Sequence, residues 1–299
     1  MKINSNSNVC KLNCYKPGQI RISYDRNNDK IWFSPCCSLF LKNYIEPLAF
    51  DYDTFYNNMD HCFERYKNFD LTNVSKYYYG RCEQVYPYGP ICSGYTYNKY
   101  DIMDVDLAVY KNCNLRCAMC TMAKHTYDER ESRLHFKILN YFKYKNLNKI
   151  LYTSLGEPFL FKDIIFDFLE NSNIKKHEII TNARLLTEND INRLAKYRDK
   201  LIIAVSCDGT SKEIYENIRI GSDFNIVLNN IILLKKLNLI QRVNYVMQDR
   251  NLIEHDKVIP FFKNLGIHLV TLIDGSFDLV NKHDLLDKNL LNIHSNYSF

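Results

Sequence analysis

The sequence lacks a long apolar segment. Its longest apolar runs, such as Ile231 to Leu234, fall far short of the roughly 18 consecutive apolar residues that a membrane span needs. The polar, Asn- and Ser-rich start of the chain also lacks the apolar core of a secretory signal. These two absences argue against a membrane protein and a secreted one, and we expect a cytoplasmic location.

A basic stripe of the kind that binds nucleic acids is also missing. The 39 Lys and Arg residues are interspersed with 34 Asp and Glu residues, and the formal net charge is only +5. A mixed charge pattern of this sort is typical of a solvated surface. We therefore expect neither a nucleic-acid partner nor a membrane partner.

Cysteine, by contrast, is abundant and unevenly placed. Ten of the 11 cysteines fall within the first 120 residues, and only Cys207 lies beyond them. Cysteines in a cytoplasmic chain indicate metal or redox chemistry rather than disulfides. The chain is long enough for one large domain or two ordinary ones, and its 46% hydrophobic content is enough for a sizeable core.

Three of these cysteines lie on one short stretch, CNLRCAMC, directly after an apolar run over 105–110. Cys113, Cys117 and Cys120 have C-x3-C-x2-C spacing, and three thiolates on one loop can hold three irons of a [4Fe–4S] cluster. The fourth iron would then be open to a small molecule. The spacing alone also allows a zinc site or redox thiols, with His125 as the nearest further ligand.

Strand-like and helix-like runs alternate from residue 104 onwards. Short apolar strands separated by helices of this length predict βα units around a parallel sheet, with functional groups at the carboxyl ends of the strands. Six such units predict an incomplete barrel. The predicted strands are 104–110, 149–153, 177–181, 201–206, 241–247 and 268–272, and the predicted helices are 129–144, 162–171, 187–197, 211–218, 224–237 and 252–265.

The cysteine loop resembles the signature loop of radical S-adenosylmethionine (SAM) enzymes. The strand ends carry further similarities: SLGEP at 154–158 resembles the family's Gly-Gly-Glu-Pro motif with Leu155 in place of the first glycine, TNARLL follows at 181–186, and SCDG follows at 206–209. The resemblance implies a partial (β/α)6 TIM-type barrel, a SAM-binding [4Fe–4S] cluster on Cys113, Cys117 and Cys120, and SAM itself. It implies SAM contacts from Met119, Gly156, Glu157, Pro158, Ser206, Asp208 and Arg219.

The first part of the chain predicts a small module with a β-hairpin. Two short strands are expected around 20–24 and 31–33 with a turn over 25–30, and an aromatic stripe over 52–66 is expected to serve packing. The cysteine pattern resembles the SPASM/twitch auxiliary-cluster module, here in front of the barrel. That resemblance implies an auxiliary Fe–S site on Cys14, Cys36, Cys82 and Cys92, with Cys10, Cys37 and Cys62 in reserve; a zinc site or buried thiols stay open.

The expected domains are a Cys-rich module over 1–98, the partial barrel over 99–275 and a tail over 276–299. The resemblance implies reductive cleavage of SAM to a 5′-deoxyadenosyl radical that abstracts hydrogen, with a flavodoxin- or ferredoxin-type one-electron reductase as partner. Peptide or protein modification is the expected use, and a glycan or nucleoside pathway is the alternative. A non-enzymatic Fe–S or zinc scaffold is the alternative of another class. Cys207 is a candidate hydrogen donor, although a buried thiol explains it as well.

Overall fold

Residues 19–34, 48–68, 102 and 104–273 are the part of the chain that the computed structural model describes. The chain divides into two compact units, Met1–Ala108 and Val109–Phe299. The predicted domain limits at 98/99 and 275/276 stay predictions. Outside the described residues lie the tail over 276–299 and the candidate ligands Cys10, Cys14, Cys36, Cys37, Cys82 and Cys92.

A β-hairpin opens the described part of the first unit. Its strands β1, Gln19–Asp25, and β2, Lys30–Ser34, pair antiparallel. In the turn, the carboxylate of Asp25 accepts a hydrogen bond from the backbone N–H of Asn27 at 3.0 Å, and Asp29 has a φ of 51°. Asp and Asn tolerate such turn conformations because their short polar side chains bond to nearby backbone. The predicted hairpin is confirmed.

Two further strands flank this hairpin. β3, Leu48–Asp51, pairs antiparallel with β2, and β4, Asp104–Ala108, pairs parallel with β1. The sequence did not predict β3, since only four residues form it and the aromatic stripe that follows has helical spacing. The order in the first unit is thus β3–β2–β1–β4.

Aromatic rings fill the core of the first unit. The ring of Phe33 on β2 lies 5.1–5.5 Å, centroid to centroid, from four other rings. Three of them come from the predicted aromatic stripe, which forms α1, Tyr52–Asn57, and α2, Met59–Lys67. The stripe is therefore used for packing, as predicted. The four rings around Phe33 belong to Phe50, Phe55, Phe63 and Tyr66.

Parallel strands and intervening helices build the second unit. Its strands lie in the order β5–β6–β7–β8–β9, each parallel to its neighbours, so the predicted α/β fold class is confirmed. The strands are β5 Lys149–Leu151, β6 Lys176–Thr181, β7 Leu201–Ser206, β8 Ile240–Met247 and β9 Leu269–Ile273.

Some helices of the second unit begin at capping side chains. Asp128 accepts from the N–H of Glu131, and Thr187 and Asp190 form a reciprocal capping box. Within the described ranges, none of the helices has the length and apolar composition that crossing a bilayer requires. The helices are α3 Glu129–Phe142, α4 Lys162–Asn171, α5 Glu188–Leu194, α6 Lys212–Ile218, α7 Phe224–Lys236 and α8 His255–Asn264.

The two faces of this parallel sheet differ in polarity because successive side chains of a strand point to opposite faces. On the helix-covered face, the ring of Tyr152 packs on Phe168 of α4 at 5.9 Å. On the opposite face, Glu178 accepts from Lys149 at 2.8 Å and from Arg242 at 3.0 Å. The carboxyl ends of the strands meet along one edge, and the candidate site lies there.

Candidate functional site

The cysteine loop, Cys113 to Cys120, is fastened to the segment that ends α6. The backbone N–H groups of Arg116 and Ala118 donate to carbonyl oxygens in the segment 218–220, at 2.9 and 2.8 Å. These two bonds pair the loop with a chain segment about 100 residues away, in the manner of a short β-ladder. The position of the loop is therefore set by tertiary contacts within the second unit.

All three cysteines of this loop are free thiols with different exposure. Cys113 is half-buried, Cys117 is buried and Cys120 is exposed. Burial raises the pKa of Cys113 to about 11 and also raises the pKa of Cys117, and the other loop thiols raise both further. The three sulfurs thus lie within electrostatic reach of one another. Among the described residues, no three His, Cys, Asp or Glu side chains converge closely enough to hold a single metal ion.

The sulfur of Cys113 lies near two N–H donors. The backbone N of Leu115 is 3.4 Å from Sγ, and the side-chain Nδ2 of Asn182 is 3.8 Å from it. The same Nδ2 donates to Asn114 Oδ1 at 2.9 Å, while Asn182 Oδ1 accepts from the N–H of Arg184 at 2.9 Å. The latter bond fixes which amide atom is oxygen, so the NH2 group of Asn182 faces the cysteine loop.

The sulfur of Cys117 lies near a buried guanidinium. Arg219 Nη1 is 3.9 Å from Sγ, and Arg219 Nε donates to Asp208 Oδ2 at 2.6 Å. Burial disfavours the cation, but the carboxylate of Asp208 outweighs it and the pKa of Arg219 is raised. Asp208 is completely buried, and its second oxygen accepts from the N–H of Val246 at 2.7 Å. Both carboxylate oxygens of Asp208 therefore have donors within the protein.

Glu157 is the second buried carboxylate of the site. Its oxygens accept from the hydroxyl of Thr181 at 2.7 Å, from the N–H of Asn182 at 2.8 Å and from the N–H of Phe159 at 3.0 Å. Burial is the main influence on its pKa, which is raised although these donors oppose the shift. Glu157 thereby joins the loop after β5 to the end of β6.

The turn that carries Glu157 packs closely against the backbone just before the cysteine loop. A Cβ at Gly156 would lie 2.6 Å from the carbonyl oxygen of Asn112 and 2.9 Å from that of Tyr110. The N–H of Glu157 donates to the same Asn112 oxygen at 2.9 Å. Pro158 begins a short 3₁₀ turn, where its missing N–H costs nothing. Gly156 thus allows the loop after β5 to lie directly against the start of the cysteine loop.

The remaining candidates at the strand ends have different surroundings. Ser206 and Met119 are half-buried. Cys207 is buried, its Sγ donates to the carbonyl of Gly209 at 3.4 Å, and burial raises its pKa to about 12. These are the properties of an inert buried thiol, so the structure favours that explanation of Cys207.

A polar layer behind the loop after β7 was missed by sequence reasoning. Asn251 Nδ2 donates to the carbonyls of Asp208 at 3.0 Å and Val246 at 2.9 Å, and the buried carboxylate of Glu254 accepts from the N–H of Thr210 at 2.8 Å and from the hydroxyl of Ser211. These residues hold the loop that carries Asp208. No local pattern marks them, because they act across about 40 residues of chain.

A buried ion-pair cluster at both ends of the cysteine loop was also missed. Glu131, 1% exposed and in the first turn of α3, accepts from Lys111 before the loop at 2.8 Å and contacts His125 Nε2 after it, also at 2.8 Å. His125, the candidate further metal ligand, is thus engaged with Glu131.

In the first unit, Cys62 is completely buried and burial raises the pKa of its thiol.

The donor set fits a [4Fe–4S] cluster with one iron left open. Three thiols lie on one loop, and N–H donors reach the two that are shielded from solvent. Thiols with raised pKa values are protonated at neutral pH, so metal binding must displace their protons. Such N–H groups stabilise the thiolate that metal binding creates.

The chain matches one family model and resembles several solved structures in fold. Residues 107–279 match the family model of the radical SAM superfamily. No curated protein sequence matches the chain. Streptococcus suis SuiB bound to S-adenosylmethionine has 16% sequence identity and a TM-score of 0.50, with 80% of this chain and 62% of that chain covered.

Two further solved structures are similar to the chain. SuiB bound to its precursor peptide SuiA has 15% identity and a TM-score of 0.51, covering 84% of this chain and 54% of that one. The protein anSMEcpe, solved with bound AdoMet and Cp18Cys peptide, has 22% sequence identity and a TM-score of 0.45, with 57% of this chain and 51% of that chain covered. The chain thus spans between half and two thirds of these proteins, and at such identities the likeness to SuiB concerns the fold.

Proposed function

The chain belongs to the radical SAM superfamily, whose members are enzymes that use a [4Fe–4S] cluster and SAM, and from this premise we propose that it cleaves SAM reductively to modify a peptide or protein. When bound, the cluster and SAM supply a 5′-deoxyadenosyl radical that abstracts a hydrogen atom from the substrate. The residues of the chain hold these groups, orient them and exclude water. We propose a cytoplasmic location and a flavodoxin- or ferredoxin-type reductase as the electron source.

The observation that carries this proposal is the cysteine loop with its donors. Cys113, Cys117 and Cys120 would hold three irons, and the loop lies against the strand ends that carry Glu157 and Asp208. A single open iron requires a loop with three ligands and neighbouring groups that bind the incoming molecule. The contacts of Asn182 and Arg219 with the loop sulfurs bring such groups next to the proposed cluster.

SAM would bind beside the loop. Among the residues that the structure describes, Arg219 Nη2 has no acceptor, so it is available to the SAM carboxylate, which a guanidinium binds well. Asp208 would act by holding Arg219, since both of its oxygens have donors. The proposed contacts of Gly156, Glu157 and Pro158 lie on the adjoining turn. Met119 lies on the cysteine loop itself, and Ser206 is the last residue of β7.

The auxiliary site belongs to the same proposal. We assign it to Cys14, Cys36, Cys82 and Cys92, in a module over 1–98 before the barrel over 99–275. SuiB has been obtained with its precursor peptide SuiA, and anSMEcpe with a peptide. A peptide is therefore the proposed substrate class, in accord with the resemblance of the cysteine pattern to the SPASM/twitch module.

The test is anaerobic reconstitution of the full chain with iron and sulfide, followed by SAM and dithionite. We expect more than four irons per chain and formation of 5′-deoxyadenosine, measured by chromatography. Cys113→Ala, Cys117→Ala and Cys120→Ala should each abolish 5′-deoxyadenosine, whereas Cys62→Ala, a buried thiol in the first unit, should leave its formation intact.

Each part of this proposal has its own contrary result. Retained SAM cleavage in any of the three loop variants would overturn the assignment of the cluster ligands. An iron content that stays at four in the wild type would overturn the auxiliary site alone. A wild type that forms a cluster and 5′-deoxyadenosine but leaves every Cys- or Gly-rich precursor peptide from its genomic neighbourhood unchanged would overturn the peptide substrate.

A further inference from the structure

The end of β6 and the end of α6 each direct one N–H group at a cysteine of the loop. Asn182 Nδ2 lies 3.8 Å from Cys113 Sγ, and Arg219 Nη1 lies 3.9 Å from Cys117 Sγ. Both distances are within the longer reach of hydrogen bonds to sulfur. The exposed Cys120 has no such side-chain donor among the described residues.

The amide of Asn182 is held rigidly in this orientation. Its backbone N–H donates to Glu157 at 2.8 Å and its Oδ1 accepts from Arg184 at 2.9 Å, so Nδ2 faces Asn114 and Cys113. Asn182 is only 5% exposed. A donor fixed by three other hydrogen bonds cannot turn away when the charge on the sulfur changes.

Arg219, directly after α6, is also held by hydrogen bonds. Its Nε donates to the buried Asp208, which in turn accepts from the N–H of Val246 on β8. Arg219 is 8% exposed, so its charge near Cys117 is weakly screened by solvent. The two donors come from separate loops, yet they act on the two cysteines that are most shielded from water.

From these contacts we propose that Asn182 and Arg219 set the reduction potential of the cluster by donating N–H groups to the sulfurs of Cys113 and Cys117. Reduction adds one electron, supplied by the reductase or by dithionite, and spreads additional negative charge over the thiolate sulfurs. Hydrogen bonds to these sulfurs stabilise the more negative state and so raise the potential. Asn182 is thus a positioning residue that acts through Cys113. The inference rests on the proposed cluster and goes beyond it.

The test is a redox titration of the reconstituted full chain without SAM, monitored by electron paramagnetic resonance. The signal of the loop cluster is the one that Cys113→Ala removes. Asn182→Leu keeps the number and branching of the side-chain heavy atoms and removes the donor. We expect the equilibrium to shift about three- to tenfold toward the oxidised cluster, which for one electron corresponds to a potential lower by about 30–59 mV. Arg219→Lys keeps the positive charge but removes the planar guanidinium with its several N–H donors, and it should lower the potential as well.

The matched control is Asn114→Ala. It removes the hydrogen bond between Asn182 and Asn114 and an acceptor oxygen 3.9 Å from Cys113 Sγ, while Glu157 and Arg184 still hold Asn182. Because no donor to Sγ is lost, its potential should not fall below that of the wild type. If Asn182→Leu does not retain iron, Asn182→Ser replaces it, because serine is too short to reach Sγ.

Unchanged potentials in iron-loaded Asn182 variants would overturn the inference while leaving the proposed function intact. Loss of iron from both variants would also overturn it, since Asn182 would then hold the loop rather than tune the cluster. A wild type without a cluster or 5′-deoxyadenosine would instead contradict the proposed function itself.

Discussion

At the scale of single residues, the site depends on an approach of backbone to backbone that only glycine permits. A Cβ at Gly156 would come within 2.6 Å of the Asn112 carbonyl oxygen, a backbone atom that cannot move aside as a flexible side chain can. The same position carries the turn of Glu157, whose N–H bonds to that oxygen. The shape of this turn thus depends on the absence of a methyl group at position 156.

The substitution Gly156→Ala tests this close approach. We expect the free energy of unfolding to fall by about 1–3 kcal/mol, because the added methyl overpacks against backbone. The measurement is urea unfolding of the apoprotein. The control is Gly266→Asn, where φ is +64° but the nearest atoms belong to the flexible side chain of Lys235; Asn tolerates that φ and should change stability less. Equal losses at the two positions would contradict the steric explanation.

At the scale of elements, one carboxylate in the first turn of α3 links the two ends of the cysteine loop. Glu131 contacts Lys111 before the loop and His125 after it, both at 2.8 Å, and all three side chains are largely buried. A buried carboxylate with two partners restricts the loop more than an exposed pair could, since surface pairs compete with water and salt.

We expect Glu131→Gln to lower the free energy of unfolding by about 1–3 kcal/mol, because it removes the buried carboxylate charge that pairs with the largely buried Lys111. Urea unfolding of the apoprotein measures the loss, and iron per chain after reconstitution should fall with it. The control is Glu129→Gln in the same turn, whose pair with Arg133 is exposed and should contribute at most about 0.5 kcal/mol. An equal effect of both substitutions would show that Glu131 does not close the loop.

At the scale of the whole molecule, two buried histidines couple stability to pH. His135 is completely buried beside the rings of Tyr110 and Phe161, and among the described residues neither of its ring nitrogens has a partner. Burial lowers its pKa from 6.5 to about 3 and, together with weaker influences, lowers the pKa of His177 to about 4. Both rings therefore stay neutral in the native state.

The sign of the resulting pH dependence follows from these shifts. The unfolded chain protonates both histidines as pH falls through 6.5, whereas the native state does so only near 3 and 4. Stability contributed by the two rings is thus present above pH 6.5 and declines below it, by at most about 1.4 kcal/mol per pH unit for each ring. Urea unfolding at pH 7.5, 6 and 5 should show this decline, and His135→Phe should reduce the slope by about half. An unchanged slope would show that His135 is solvated.

Local patterns were sufficient to predict most elements and the cysteine loop. Apolar runs separated by helix-like runs predict β4 to β9 closely, because hydrophobic periodicity is a property of neighbouring residues. The helix expected over 252–265 instead begins as a 3₁₀ turn at Asp249–Glu254, and β3 was missed because so short a strand has little periodicity to detect.

The sequence by itself determined the α/β order of elements and the spacing of Cys113, Cys117 and Cys120, since both depend on residues close together in the chain. Only the tertiary structure decided that Asn182 and Arg219 face two of these sulfurs, that Asp208 holds Arg219, and that Glu131 joins the two ends of the loop. The physical reason is distance along the chain. A hydrogen bond between groups 69 or 102 residues apart leaves no local pattern and exists only when parallel strands bring their ends to one edge.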